Sequence, residues 1–97
     1  MTVAAFPDMH DWTLLAADYD WSSARVTMRF RTAVGDTTLV ASEVVDLHIP
    51  QRRSWGLSAS VNGADLFVGT GNDAQTLRIE MQSGDVITIE AAAVEVG

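Results

Sequence analysis

The residues of this chain with the widest choice of chemistry are its two histidines and the aspartates near them. His10 directly precedes Asp11, and Asp46 lies shortly before His48. Histidine and aspartate together serve as metal ligands or as an acid–base pair, so these residues form a candidate hydrolytic or metal site. A zinc site needs three or four ligands held close together, and no stretch of the chain predicts a helix that would hold them. We therefore favour the alternative, in which His10 or Asp11 bonds backbone groups where a strand begins, and we predict no catalytic, metal-binding or cofactor-binding residue.

A second group, Arg52, Arg53 and Trp55, falls in one loop after Pro50. Arginine and tryptophan are enriched at binding hot spots, so this loop is a candidate anchor for a carboxylate or phosphate of a partner, with the indole as a stacking platform. The structural alternative is that Trp55 fills one end of the core while the arginines bond nearby carbonyl groups. The candidate partner-binding residues are therefore Arg52, Arg53, Trp55, His10 and Asp11.

Composition limits the function further. The chain has 97 residues, a formal net charge of −7, no cysteine, and arginine as its one basic residue type apart from histidine. The acidic balance disfavours binding to nucleic acid or to an anionic membrane, and the absence of cysteine excludes disulfides and thiolate metal sites. No membrane-spanning run and no basic leader is present, so we expect a cytoplasmic protein.

The elements that must position these residues are short strands. Residues 76–92 carry apolar side chains at alternate positions on both sides of Ser83-Gly84-Asp85, which predicts a β-hairpin. Centring the loop on Gly84 pairs Ile79 with Ile89 and places Arg78 opposite Glu90.

A second hairpin is predicted from Trp12 to Arg31, with its loop at residues 21–24. Burial of both apolar sets pairs Tyr19 with Val26, Ala17 with Met28 and Leu15 with Phe30, and it sets Asp20 opposite Arg25.

The middle of the chain predicts further strands. Residues 37–50 alternate with an inward set that includes Leu39, Val45 and Leu47, interrupted at Glu43, which indicates a bulge or a break into two strands near Ser42. A weak strand over residues 57–61 ends at an Asn62-Gly63 turn, and a short strand follows at residues 66–68.

No sustained helical period occurs, so the fold class is all-β: a single small antiparallel β-barrel or sandwich of six to seven strands built from hairpins. The sequence does not separate barrel from sandwich. Residues 1–97 form one domain, with a loosely packed lead-in at residues 1–9 and a tail at residues 94–97.

Four stretches of the sequence resemble a group of small bacterial all-β proteins that begin with His-Asp before a strand and end in a hairpin with Ser-Gly-Asp at its turn. The stretches are MHDWTLL, DYDWSSARVTMRF, VVDLHIPQRRSWGLSASVN and LRIEMQSGDVITIEA. Some of these proteins are similar to immunity proteins of polymorphic toxin systems, which are small cytoplasmic proteins that bind and neutralise one toxin. The resemblance implies that role here and carries no catalytic residue over.

We therefore predict a non-catalytic protein-binding module, with an inhibitor of a basic toxin as the leading hypothesis. The alternative is a structural domain that associates with itself, as a homodimer joined through an exposed edge strand such as Val86 to Ala93. An enzyme that uses His10, Asp11 and His48 is the least favoured hypothesis.

Overall fold

A computed structural model describes residues 7–50, 59–68 and 74–97, together with the backbone of residues 2–3. In these parts the chain contains strands and turns, which confirms the all-β prediction. The strands run antiparallel and are β1 (Thr2–Val3), β2 (Thr13–Asp20), β3 (Arg25–Thr32), β4 (Gly35–His48), β5 (Ala59–Val68), β6 (Gln75–Met81) and β7 (Val86–Val96). None of the described residues belongs to a helix long and apolar enough to cross a membrane.

The strands form one sheet whose two ends meet. The order β5-β2-β3-β4-β7-β6 returns to β5, so the six longer strands of the described chain close a ring. The closing seam is short, because β2 pairs with β5 only at Thr13↔Ser60 and Leu14↔Ala59. β1 pairs with the far end of the same edge of β5. Few backbone hydrogen bonds therefore close the ring at the pairing of β2 with β5, which we call the seam.

The hairpin of β6 and β7 buries the side chains that the sequence predicted, but its register differs by two residues. Ile79 lies opposite Ile87 rather than Ile89, and Arg78 lies opposite Thr88 rather than Glu90. The loop consists of residues 82–84, and Gly84 adopts φ +96° as its last residue. The predicted register was wrong because a three-residue loop needs positive φ at its last position, which glycine adopts without strain. A shift of two leaves every side chain on its predicted face.

β7 is also not an edge strand. It pairs with β6 over Val86 to Ala91 and with β4 over Thr88 to Val96. The prediction that Val86 to Ala93 offers an exposed edge for a second copy was therefore wrong.

The hairpin of β2 and β3 keeps its predicted loop and most of its register. Tyr19↔Val26, Ala17↔Met28 and Asp20↔Arg25 are confirmed. A bulge follows Leu14, so Leu14 rather than Leu15 lies opposite Phe30. The extra residue resets the alternation and lets Leu14 pack against the core.

β4 contains the bulge predicted near Ser42, but its consequence differs from the prediction. Glu43 adopts φ +53°, and the register with β7 shifts between Val44 and Asp46. Val44 is buried while Val45 is 74% exposed, so the predicted inward position of Val45 was wrong. Because of the bulge, Val44 rather than Val45 points into the core.

β5 runs through the Asn62-Gly63 pair that the sequence predicted to be a turn. The ladder with β6 shifts register between Val61 and Gly63, and the strand then continues to Val68. Asn62 donates through Nδ2 to the Glu80 Oε1 atom at 2.8 Å, which holds the bulged residue against β6. The predicted turn is therefore a bulge inside one strand.

Among the described residues, Met9 and residues 94–97 are more firmly packed than predicted. Met9, assigned to a loose lead-in, is fully buried in the core. Residues 94–96, assigned to a tail, belong to β7, and the Gly97 amide donates to the Thr38 carbonyl at 3.0 Å. The core inside the ring is apolar, and none of its described members is polar: Met9, Val26, Met28, Phe30, Leu39, Ala41, Val44, Val61, Leu66, Leu77, Ile79, Met81, Ile87, Ile89 and Ala91.

Candidate functional site

The loop between β2 and β3 presents a tryptophan to solvent. Trp21 is 85% exposed, directly after Asp20. The Asp20 Oδ1 atom accepts hydrogen bonds from the Ser22 amide at 3.0 Å and from the Ser22 hydroxyl at 2.7 Å, which fixes the backbone on both sides of the indole. Ala24 completes the loop at φ +51°, and its carbonyl accepts from the Val44 amide at 2.8 Å. The loop is thus tied to the bulge of β4.

Trp21 packs against an aromatic neighbour. The centroids of the Trp21 and Tyr19 rings lie 4.4 Å apart, and the ring planes are at an angle of 89°. Edge-to-face contact is a favourable aromatic geometry and limits the freedom of the exposed indole. The two rings form one wall of an open groove of about 320 Å³ lined by Tyr19, Trp21, Val44, Val45, Asp46 and Leu47. We call these six residues the Trp21 surface.

The other wall of the Trp21 surface comes from β4, which extends past the start of β3. The pair Val26↔Ala41 begins the β3–β4 ladder, so residues 45–48 have no β3 residue beside them. The bulge then turns Val45 outward, next to the buried Val44. An apolar side chain that would otherwise enter the core is therefore exposed beside Trp21.

Carboxylates lie in and beside this apolar surface. Asp46 lies directly opposite Glu90 in the β4–β7 ladder, so the two carboxylates share one face of the sheet. Neither forms an ion pair with a basic side chain of the described residues. Hydrogen bonds from the Ser22 hydroxyl and amide, followed by that of Ser23, lower the pKa of Asp20. These bonds favour the charged form of the Asp20 carboxyl. Like-charged side chains directly opposite each other, such as Asp46 and Glu90, destabilise a sheet.

His10 and Asp11 lie at the closing seam of the ring. They are the central residues of a turn in which the Trp12 amide donates to the Met9 carbonyl at 3.0 Å, and Asp11 adopts φ +68°. The Asp11 amide donates to the Val61 carbonyl of β5 at 2.9 Å. The Asp11 Oδ1 atom accepts from Gln82 Nε2 at 2.9 Å, which adds the β6–β7 loop to the seam.

The histidine ring reaches the same strand. His10 Nδ1 lies 2.7 Å from the Asn62 carbonyl oxygen, and because a carbonyl only accepts, Nδ1 carries the proton and donates. His10 Nε2 lies 3.5 Å from Asp11 Oδ2. The bond to Asn62 and then the Asp11 carboxylate raise the pKa of His10. Both residues thus make the backbone contacts that a structural role requires.

The second histidine does not join the first in a metal centre. His48 lies opposite Thr88 in the β4–β7 ladder, and it lines a groove with Asp85 rather than with His10. Within residues 7–50, 59–68 and 74–97, no three histidine or acidic side chains are grouped so as to hold a metal ion.

The remaining candidate residues, Arg52, Arg53 and Trp55, lie outside the described residues. The Trp21 surface was not predicted, although two signals in the sequence pointed to it. Trp21 falls in the predicted loop of residues 21–24 and precedes two serines, so the hairpin gives it no position on the inward face. Glu43 interrupts an apolar alternation and thereby makes the next apolar positions ambiguous between core and surface.

No protein-family model matches the chain, and no curated protein matches it. Among solved structures, the chain is similar to an uncharacterized protein from Neisseria gonorrhoeae, with a TM-score of 0.67 and 14% sequence identity over 90% of each chain. Identity this low shows a shared fold and nothing more. The chain is therefore a small all-β domain similar in structure to a bacterial protein, in agreement with that part of the resemblance.

Proposed function

We propose that this protein is a non-catalytic protein-binding module and that the Trp21 surface is its binding site. The main support for this proposal is the exposure of Trp21 beside Tyr19 and Val45 in one groove. Exposed apolar groups that cluster in this way mark interaction sites, and tryptophan and tyrosine are the residue types that contribute most to interface hot spots. The contacts of His10 and Asp11 at the seam support a structural rather than an enzymatic role for that pair.

The charge of the chain supports a basic partner. The formal net charge is −7, and Asp20, Asp46 and Glu90 add negative charge at or near the Trp21 surface. Such complementarity raises the association rate and discriminates against acidic partners. Within this class, the resemblance to immunity proteins favours an inhibitor that binds one basic toxin in the cytoplasm, and this is the specific role that we propose.

The test compares two variants in each of which one exposed apolar side chain is replaced by alanine. Trp21→Ala removes the centre of the Trp21 surface, and Val34→Ala removes an apolar side chain that is 98% exposed on a different turn. Each protein is used to capture complexes from a native lysate of the source cell at low and high salt. A third variant with Arg52→Ala, Arg53→Ala and Trp55→Ala tests the other candidate residues.

We expect one basic protein to be captured by the wild type and by Val34→Ala, and to be lost with Trp21→Ala and at high salt. Trp21→Ala must keep the wild-type circular dichroism and unfolding midpoint for this result to count. Capture that survives Trp21→Ala and is lost in the Arg52, Arg53 and Trp55 variant would move the site to that loop. Recovery of the bait alone, as a dimer by light scattering, would favour the self-associating domain.

A further inference from the structure

The exposed edge of β4 suggests how the Trp21 surface binds its partner. β4 is held by β7 at Asp46, Leu47 and His48 through the ladder. On its other side, the described residues provide no strand partner after the bond from the Val44 amide to the Ala24 carbonyl. Residues 45–48 therefore present a short free strand edge, and a free edge is a template for an added strand.

The groove lies at this same edge. An extended chain paired with residues 45–48 would place alternate side chains over Tyr19, Trp21 and Leu47, because side chains alternate along a strand. Backbone pairing would supply affinity, and the aromatic wall would select apolar side chains at one parity.

The remaining side chains of the incoming strand, at the positions in between, would face the carboxylates of Asp46 and Glu90. Asp46 and Glu90 lie on one face without a basic neighbour among the described residues that pairs with them. A lysine or arginine of the incoming segment would neutralise both and remove their repulsion. A second copy of this chain would instead bring two acidic surfaces together, which disfavours it as the occupant.

We propose that the Trp21 surface and the edge of residues 45–48 bind an extended segment of a partner protein in which a lysine or arginine alternates with apolar side chains. This inference rests on the proposed function and specifies its mode of binding.

The test is a selection from a displayed library of random twelve-residue peptides on the full chain, with Trp21→Ala as the counter-selection target. We expect enriched peptides that alternate basic with apolar residues and contain no proline in the alternating run. Amide shifts of the nitrogen-15-labelled protein on titration with the best peptide should map to Trp21 and residues 45–48. Methylating alternate backbone nitrogens of that peptide should weaken binding at least about tenfold, because edge pairing uses those N–H groups.

Charge is tested by Asp46→Asn with Glu90→Gln. The matched control is Asp18→Asn with Glu95→Gln, at two carboxylates that neither line the groove nor lie opposite each other in a ladder. The first double variant should weaken peptide binding about fivefold or more and lower its salt dependence, without loss of folding stability, because it removes a repulsive pair. The second should bind like the wild type apart from a small uniform effect of net charge.

Several results would overturn the inference: no enrichment over the Trp21→Ala background, enriched peptides without basic residues, binding that tolerates N-methylation, or equal effects of the two double variants. If lysate capture still depends on Trp21 in those cases, the partner binds as a folded surface and the proposed function stands. If neither assay depends on Trp21, the proposed function fails with the inference.

Discussion

Asp11 offers the sharpest test of how the ring is closed, because its backbone and its side chain act in opposite directions. The residue holds φ +68°, a conformation that costs an ordinary L-residue roughly 1–2 kcal/mol and costs asparagine or aspartate less. Its carboxylate meanwhile accepts the Gln82 hydrogen bond at 2.9 Å, and one such bond contributes about 0.5–1.5 kcal/mol net. Substitutions at this position separate the two effects.

Three substitutions give a predicted order of stability. Asp11→Asn keeps an acceptor oxygen and tolerates positive φ, so the free energy of unfolding should stay within about 0.5 kcal/mol of the wild type. Asp11→Gly loses the bond but relieves strain, and the larger entropy of the unfolded glycine chain offsets part of that relief, so we expect a loss of about 0.5 kcal/mol. Asp11→Ala loses the bond and increases the strain, because alanine adopts positive φ less readily than aspartate, which should cost about 1.5–2.5 kcal/mol in total.

Urea unfolding followed by tryptophan fluorescence measures these differences, and the alanine variant should shift the midpoint by on the order of 1 M. Gln82→Ala is the matched control: alone it should cost about as much as the hydrogen bond, and in combination with Asp11→Ala it should add little. If Asp11→Ala were as stable as Asp11→Asn, neither the strain nor the bond would contribute to closing the ring, and the reasoning would fail.

Further predictions test the seam, the termini, the hairpin loop and the bulge. The folded-state pKa of His10 is raised, so His10 contributes stability that is fully present below its unfolded pKa of 6.5 and is lost as pH rises through the folded value. Urea unfolding at a series of pH values between 5 and 8 should show this fall in the free energy of unfolding for the wild type and not for His10→Gln. Met9→Ala should cost about 2–4 kcal/mol, whereas a loosely packed residue would cost almost nothing in the same unfolding assay. Gly84→Ala, at φ +96°, should cost about 1–2 kcal/mol, and Gly63→Ala, which has neither positive φ nor a close neighbour, should cost clearly less. Deleting Val45 should leave Val44 and Leu47 inward in an unbroken ladder, so the fold should persist while partner binding is lost; an unfolded deletion variant would show that the bulge is needed for packing.

The predicted side-chain faces of the two hairpins are largely right, and the register of the C-terminal one is wrong, for a single reason. Burial fixes which parity points inward, so Leu77, Ile79 and Ile89 were assigned correctly to the core. A shift of two residues preserves parity, so burial cannot detect it. The loop decides instead, because Gly84 is the loop residue that adopts positive φ without strain and it must come last.

The candidate site could not be predicted from local sequence patterns, because it depends on how far β4 extends past the start of β3. Trp21 was correctly assigned to a loop, but its exposure depends on β4 reaching His48 while β3 begins at Arg25. The sequences of β3 and β4 do not show that β4 extends past the start of β3. The assignment of Val45 to the core failed for a related reason: the sequence marked the bulge near Ser42 without showing which following residue it would turn outward.

The bulge in β4 connects the fold to the proposed function. Its positive φ at Glu43 places Val44 in the core and directs the Val44 amide to the Ala24 carbonyl, which holds the loop that carries Trp21. The same register shift exposes Val45 and sets Asp46 opposite Glu90. A strained backbone residue, an exposed valine and an opposed carboxylate pair each reduce stability, and here all lie on or next to one groove. Unfavourable local choices that coincide in this way are expected where a surface is shaped for a partner rather than for the stability of the free protein.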